Sequence, residues 1–335
     1  MALKKLTPQE HTDSSAMRKN KVSMVVNNVR DPRSTPLPHV KITSPDVSEN
    51  AIREQMPEIL DLLLVDRTSS TAKTTKNIIW ANDNYTALGD EEYSPRSQIT
   101  PELITGKNGH IIMPRALKSL SIRKERTRTK AEVFTPTWIV KKQNDAVDAN
   151  YKNDDLETYV KRTWLEVTCG EAPYMASRYD MDTGELIKLP ERVGFLDRKL
   201  AKINQAVTDK AEWQRLVEEA YKSSYGFEWS GDSLLLAREN LLYTYRDYYV
   251  YKWGEEPVYG LFRDIAVIIS YNVFQMDGIK YTIPLSDKRE KRPDQQLSLF
   301  DAPDTESTWV DVPGKRVKIM DWAKNKMQFF DKDVK

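Results

Sequence analysis

The chain has 335 residues, 51 Lys and Arg against 50 Asp and Glu, and a single cysteine, Cys169. Its length suits about two domains or one large α/β domain, its 39% hydrophobic and 30% charged content implies solvated segments, and no run approaches the roughly 18 apolar residues of a membrane span. One thiol with three histidines excludes an internal disulfide and a Cys/His zinc site, and near-neutral charge confines any nucleic-acid binding to local basic patches.

The opening MALKKLTPQEHTDSSAMRKN has no signal-peptide core, so the expected compartment is the cytoplasm. Residues 1–47 mix Lys, Ser, Thr, Asn and Pro without periodicity and read as an extended arm. Residues 48–130 read as a small α/β extension. Ile52, Met56, Ile59, Leu60 and Leu63 recur at helical spacing, and NIIWA at 77–81 is strand-like. The extension closes on PRALKSLSIRKERTRTK, the densest basic run. Arg115, Arg123, Lys124, Arg126 and Arg128 are its candidate DNA contacts, and a solvated helix face is the alternative.

A third region, 131–335, opens with VFTP. TWLEV then leads into TCGEAPY, a strand–turn–helix pattern of the kind that begins a doubly wound sheet. Residues 195–253 space apolar side chains by three and four throughout and read as a helical insertion. Its Tyr/Trp stripe reads as core in preference to a base-stacking surface. LFRDIAVIISYNVFQMDGI reads as a helix entering a strand. Residues 285–316 are polar and proline-interrupted and read as a mobile loop, and VKIMDW is a last short strand.

Four pieces in this order, VFTP, LEVTCGEAPY, NVFQMDG and VKIMDW, resemble the S-adenosylmethionine half of the adenine-N6 DNA methyltransferases of restriction-modification systems, most closely their subunit M proteins. The resemblance implies an incomplete Rossmann-like methyltransferase sheet, with the helical insertion and the N-terminal α/β extension added to it, and S-adenosyl-L-methionine as cofactor. It implies that Phe134, Thr135 and Pro136 lie against the methionine carboxylate. It places Glu166, Thr168, Cys169, Gly170 and Tyr174 in the cofactor turn, Asp277 on the ribose hydroxyls and Asp321 on the adenine amine of the cofactor. Three departures stand out. Val167 replaces a proline, Ala172 replaces a glycine at a position of close backbone approach, and Gln275 replaces another glycine.

The family's [D/N]-P-P-[Y/F/W] segment, which binds the flipped adenine, occurs nowhere in this chain. No catalytic or metal-binding residue is therefore assigned. The expected arrangement is a split enzyme, inactive alone, in which a partner subunit supplies that segment and continues the sheet beside VKIMDW. The alternative is a non-catalytic scaffold or DNA-binding component of a defence complex. DNA, the catalytic subunit and a restriction nuclease are the partners this implies. Within the loop, Gln296, Leu299 and Phe300 of QLSLF resemble the pentapeptide that docks on the bacterial sliding clamp, and a local packing clasp is the alternative.

Overall fold

The computed structural model describes residues 32–38, 43–130, 132–133, 135–291 and 309–332. The first apolar run forms two helices, α1 (Glu49–Gln55) and α2 (Pro57–Leu64). Ser48 caps α1 by accepting the N–H of Ala51 at 3.4 Å. Pro57 ends α1, because the residue before a proline is kept out of helical conformation, and then opens α2 where its missing N–H is not needed. The short α3 (Pro101–Ile104), the basic α4 (Leu120–Lys130), α5 (Thr137–Asp148) and α6 (Leu156–Lys161) follow.

Strand β1 (Trp164–Glu166) leads through α7 (Phe195–Ala206) and α8 (Lys210–Lys222) to β2 (Ser224–Glu228). Next come α9 (Gly231–Trp253), α10 (Tyr259–Asn272) and β3 (Val273–Gln275). The three strands form a parallel sheet in the order β1-β2-β3, with Glu166 beside Gly226 and Gly226 beside Val273. The segment 195–253 is thus not a purely helical insertion, because it contains the middle strand of the sheet. SYGFE switches from helical spacing to alternation, with Tyr225 and Phe227 on one face and Gly226 and Glu228 on the other.

Beyond β3, β4 (Lys288–Lys291) pairs antiparallel with β5 (Trp309–Val312), so both ends of the expected mobile loop are structured. Gln296, Leu299 and Phe300 lie outside the described residues. β6 (Lys318–Asp321) pairs antiparallel with β7 (Lys326–Phe329) in a separate hairpin. VKIMDW therefore does not extend the parallel sheet. Val317, at the start of the hairpin, packs with Phe227, Phe274, Met276 and Ile283, and Tyr225 donates its hydroxyl to the carbonyl of Met320 at 3.2 Å. The open edge lies elsewhere. Among the described residues neither β1 nor β3 has a strand on its far side; the β1 side carries Leu165 and, just after the strand, Val167, which are 43% and 60% exposed.

One hydrophobic core runs from Ile52 through Trp80 and Ile112 to Val273, so residues 48–130 build the same core as the sheet and its helices. Part of the expected arm also joins it. The Leu37 N–H donates to the carbonyl of Pro257, and that of Tyr259 to Thr35. Residues 1–31 and 39–42 of the arm lie outside the described residues. At the centre, α9 is buried on nearly every side, including Tyr243, Tyr245, Tyr248 and Tyr249, as expected for core. Buried Arg238 on α9 donates to the carbonyls of Leu63, Val65 and Val273. Among the described residues, no helix is long and apolar enough to cross a membrane.

Candidate functional site

The turn after β1 is built from unusual backbone and buried polar groups. Thr168, Gly170 and Ala172 have φ of 49°, 54° and 62°. Ala172 therefore adopts the left-handed conformation that its β-carbon disfavours at about 1–2 kcal/mol, and its complete burial holds it there. Glu166 accepts the N–H groups of Tyr174 at 3.1 Å and Met175 at 2.8 Å. Burial pushes its carboxyl up to about 8, against the pull of those two donors. On α9, Asn240 donates to the carbonyls of Glu171 and Ala176 at 3.0 and 2.9 Å. Gly226 leaves room for the turn, since a β-carbon there would meet Met175 Sδ at 3.1 Å and Cys169 Sγ at 3.4 Å.

Beside this turn, at the carboxyl ends of β1 and β2, opens a cleft of about 500 Å³, within the range of small-molecule sites. Thr168 and Gly170 form one wall, and Glu228, Trp229, Ser230 and Ser233 form the second. Residues Ala81, Asn82 and Asn84 close the third side, with Lys130, Glu132 and Val133 at the mouth. Gly231 lets the third side approach α9, because a β-carbon there would lie 2.1 Å from the carbonyl oxygen of Ile79.

Glu228 is the pivotal polar group. One carboxylate oxygen accepts the N–H of Gly170 at 2.8 Å and the other accepts the N–H of Ser230 at 3.1 Å. Burial raises its pKa while these backbone donors oppose the rise. The Trp229 N–H acts on the same carboxylate, so part of its roughly four acceptor positions stays open to a ligand. Glu228 is hidden in the sequence because SYGFE stands between two helices and reads as part of them. The available signal was an acid closing an alternating run just before the helix start SGDS.

The other expected cofactor residues divide. Thr168 and Gly170 line the cleft. Glu166 and buried Cys169 are committed to the turn, the thiol driven well up by burial. Tyr174 bonds Gln143 on α5. Phe134 lies outside the described residues, and Thr135 and Pro136 are half-buried, with Pro136 capping α5. Asp277 follows β3 at the same end of the sheet, where one oxygen accepts the N–H groups of Ile279 and Lys280 at 2.9 and 3.1 Å. Asp321 ends β6, pairs with Lys324 at 2.7 Å and lines a different hollow with Leu165, Tyr225 and Phe330. The structure therefore brings Thr168 and Gly170 together with Glu228, and Asp321 lies apart from them.

The basic helix also divides. α4 buries no residue, and ion pairs hold its inner side. Arg123 pairs with Asp182, Lys130 with Asp83, and Arg126 with Asp232 at 3.2 Å and Glu132 at 3.5 Å. Arg115 donates its N–H to buried Glu171 and its guanidinium to Thr127. Lys124 and Arg128, one helical turn apart, are exposed, and neither has an ion pair with another described residue. Among the described residues, no cluster of three His, Cys, Asp or Glu could hold a metal ion. No family model, curated protein or solved structure matches the chain.

Proposed function

We propose that this chain binds S-adenosyl-L-methionine in the cleft at the ends of β1 and β2, as the cofactor-binding part of an adenine-N6 DNA methyltransferase. The observation that carries this reading is the bridge from Gly170 N–H to Glu228. It sets a carboxylate with acceptor capacity to spare beside a glycine-containing turn, at the carboxyl ends of parallel strands where such folds bind nucleotides. In this reading Glu228 takes the ribose hydroxyls, the role that the motif resemblance gives to Asp277. Thr168 and Gly170 approach the cofactor through their backbone, and Trp229 offers an apolar face.

The methyl group would pass from the cofactor sulfonium to N6 of an extruded adenine. The Asn-Pro-Pro-aromatic segment for that step is absent from this sequence, so a partner subunit supplies it. The open edge of β1, with exposed Leu165 and Val167, is where a partner strand can join the sheet. A scaffold that keeps the fold without the cofactor is the second reading, supported by the commitment of Glu166 and Cys169 to the turn. Calorimetric titration with S-adenosylhomocysteine separates the two. Saturable one-to-one binding supports the cofactor reading, and no heat at millimolar ligand supports the scaffold.

A further inference from the structure

Among the described residues, Arg126 is the one cation of α4 with a fully buried ion-pair partner. Its side chain is 11% exposed and that of Asp232 is 1%. The guanidinium donates to Asp232 at 3.2 Å and to the Tyr85 hydroxyl at 3.4 Å, lies 5.5 Å from the Tyr85 ring centre, and pairs with Glu132. Asp232 also accepts from Asn82 at 3.0 Å and from Tyr85 at 2.9 Å.

These contacts reach the third side and the mouth of the cleft, and back its second wall through Asp232. Asn82 lines the third side and Glu132 the mouth, while buried Tyr85 and Asp232 lie just behind the lining, next in the chain to Asn84 and to Ser233. The Arg123–Asp182 and Lys130–Asp83 pairs have partners 66% and 58% exposed, and such pairs contribute at most about 1 kcal/mol. The helix is therefore pinned to the cleft at Arg126, while Lys124 and Arg128 face outward.

We propose that Arg126 is a positioning residue that couples α4 to the cleft, so that duplex DNA on the outward face of α4 and ligand in the cleft each tighten the other. The inference rests on the reading of the cleft as the cofactor site and adds its regulation by nucleic acid. Phosphates on Lys124 and Arg128 fix the helix, the helix fixes Arg126, and Arg126 fixes Asn82, Asp232 and Glu132 around the ligand. Linkage requires the reverse effect to be equal.

The test compares wild type, Arg126→Gln and Arg126→Lys in two measurements. In the first, fluorescence anisotropy of a labelled duplex with and without saturating S-adenosylhomocysteine should show about fivefold or tighter DNA binding with the ligand in wild type. The gain should vanish in Arg126→Gln and return in part in Arg126→Lys, which keeps the charge but not the fork. In the second, hydrogen exchange without any cofactor should slow at residues 79–85 and 229–234 when duplex is added to wild type, and not in Arg126→Gln. Exchange at those segments that ignores duplex, or a coupling that survives in Arg126→Gln, overturns the proposal. A duplex effect on exchange in a protein that fails to bind S-adenosylhomocysteine removes the cofactor reading and leaves the coupling standing.

Discussion

The side-chain amide of Gln275 accepts the N–H of Ile79 at 2.9 Å and donates back to the carbonyl of the same residue at 2.8 Å, as a neighbouring strand would. Its second donor bond, to Trp229 at 2.8 Å, ties the same amide to the segment after β2. One glutamine at the end of edge strand β3 thus fixes the third wall of the cleft, at a position where the methyltransferase pattern has glycine.

Replacing Gln275 by Ala removes three buried hydrogen bonds and leaves their backbone partners unpaired, so about 2–4 kcal/mol of stability should be lost. Urea titration measures it. A loss under about 1 kcal/mol would show that water or a shifted Ile79 replaces the amide.

For the ribose, Glu228→Gln should raise the S-adenosylhomocysteine dissociation constant about 10- to 100-fold, the effect of losing a charge-assisted acceptor. Asp277→Ala should change it by less than about threefold, within the range of an indirect effect. Calorimetry on both, with melting temperatures as a control for folding, ranks the two acids. The opposite ranking returns the ribose to Asp277.

Glu49 is 1% exposed and neither of its carboxylate oxygens has a hydrogen-bond partner among the described residues. Burial pushes its pKa from 4.5 up to about 8, with Asp46 adding to the rise. The folded form therefore keeps a proton that the unfolded chain has released, and this contribution to stability declines as pH climbs from 4.5 through about 8. Glu49→Gln keeps the neutral form at every pH. Its melting temperature should gain on wild type from pH 4.5 to about pH 8 and level off above, and parallel curves across that interval would show that Glu49 is ionised in the fold.

The outward face of α4 is tested by salt. If Lys124 and Arg128 contact phosphates, the double alanine variant should flatten the log–log salt dependence of duplex binding by about 1.8. An unchanged slope would assign the helix face to solvent.

At the open edge, Leu165→Lys with Val167→Lys should alter stability by no more than about 1 kcal/mol, since both sites are exposed. The pair should abolish assembly with a subunit carrying the Asn-Pro-Pro-aromatic segment, measured by size-exclusion chromatography. Assembly that survives both lysines moves the partner to another surface.

Much of the architecture was legible. β1, α7, α8, α9, α10 and β3 lie where periodicity put them, because each has a face or a run set by burial alone. β2 was lost because five residues between two amphipathic helices carry too little pattern to interrupt a helical reading. The site was legible only in part for a related reason. Thr168 and Gly170 stood in a recognisable turn, but the acid beside them was decided by strand order, and sequence alone does not show that β2 rather than β3 adjoins β1. Likewise the basic run showed its charges but not the buried Asp232 that turns Arg126 inward.

The carbonyls of Leu63 and Val65 that Arg238 satisfies lie 175 and 173 residues earlier in the chain. At roughly 5–20 residues per second of synthesis, those acceptors, and the apolar faces of α1 and α2 beside them, wait about 9–35 seconds on the ribosome before α9 emerges to cover them. The nascent chain is therefore at its stickiest while the cleft does not yet exist, and yield in the cell should depend on translation speed and chaperone supply before it depends on the stability of the finished fold.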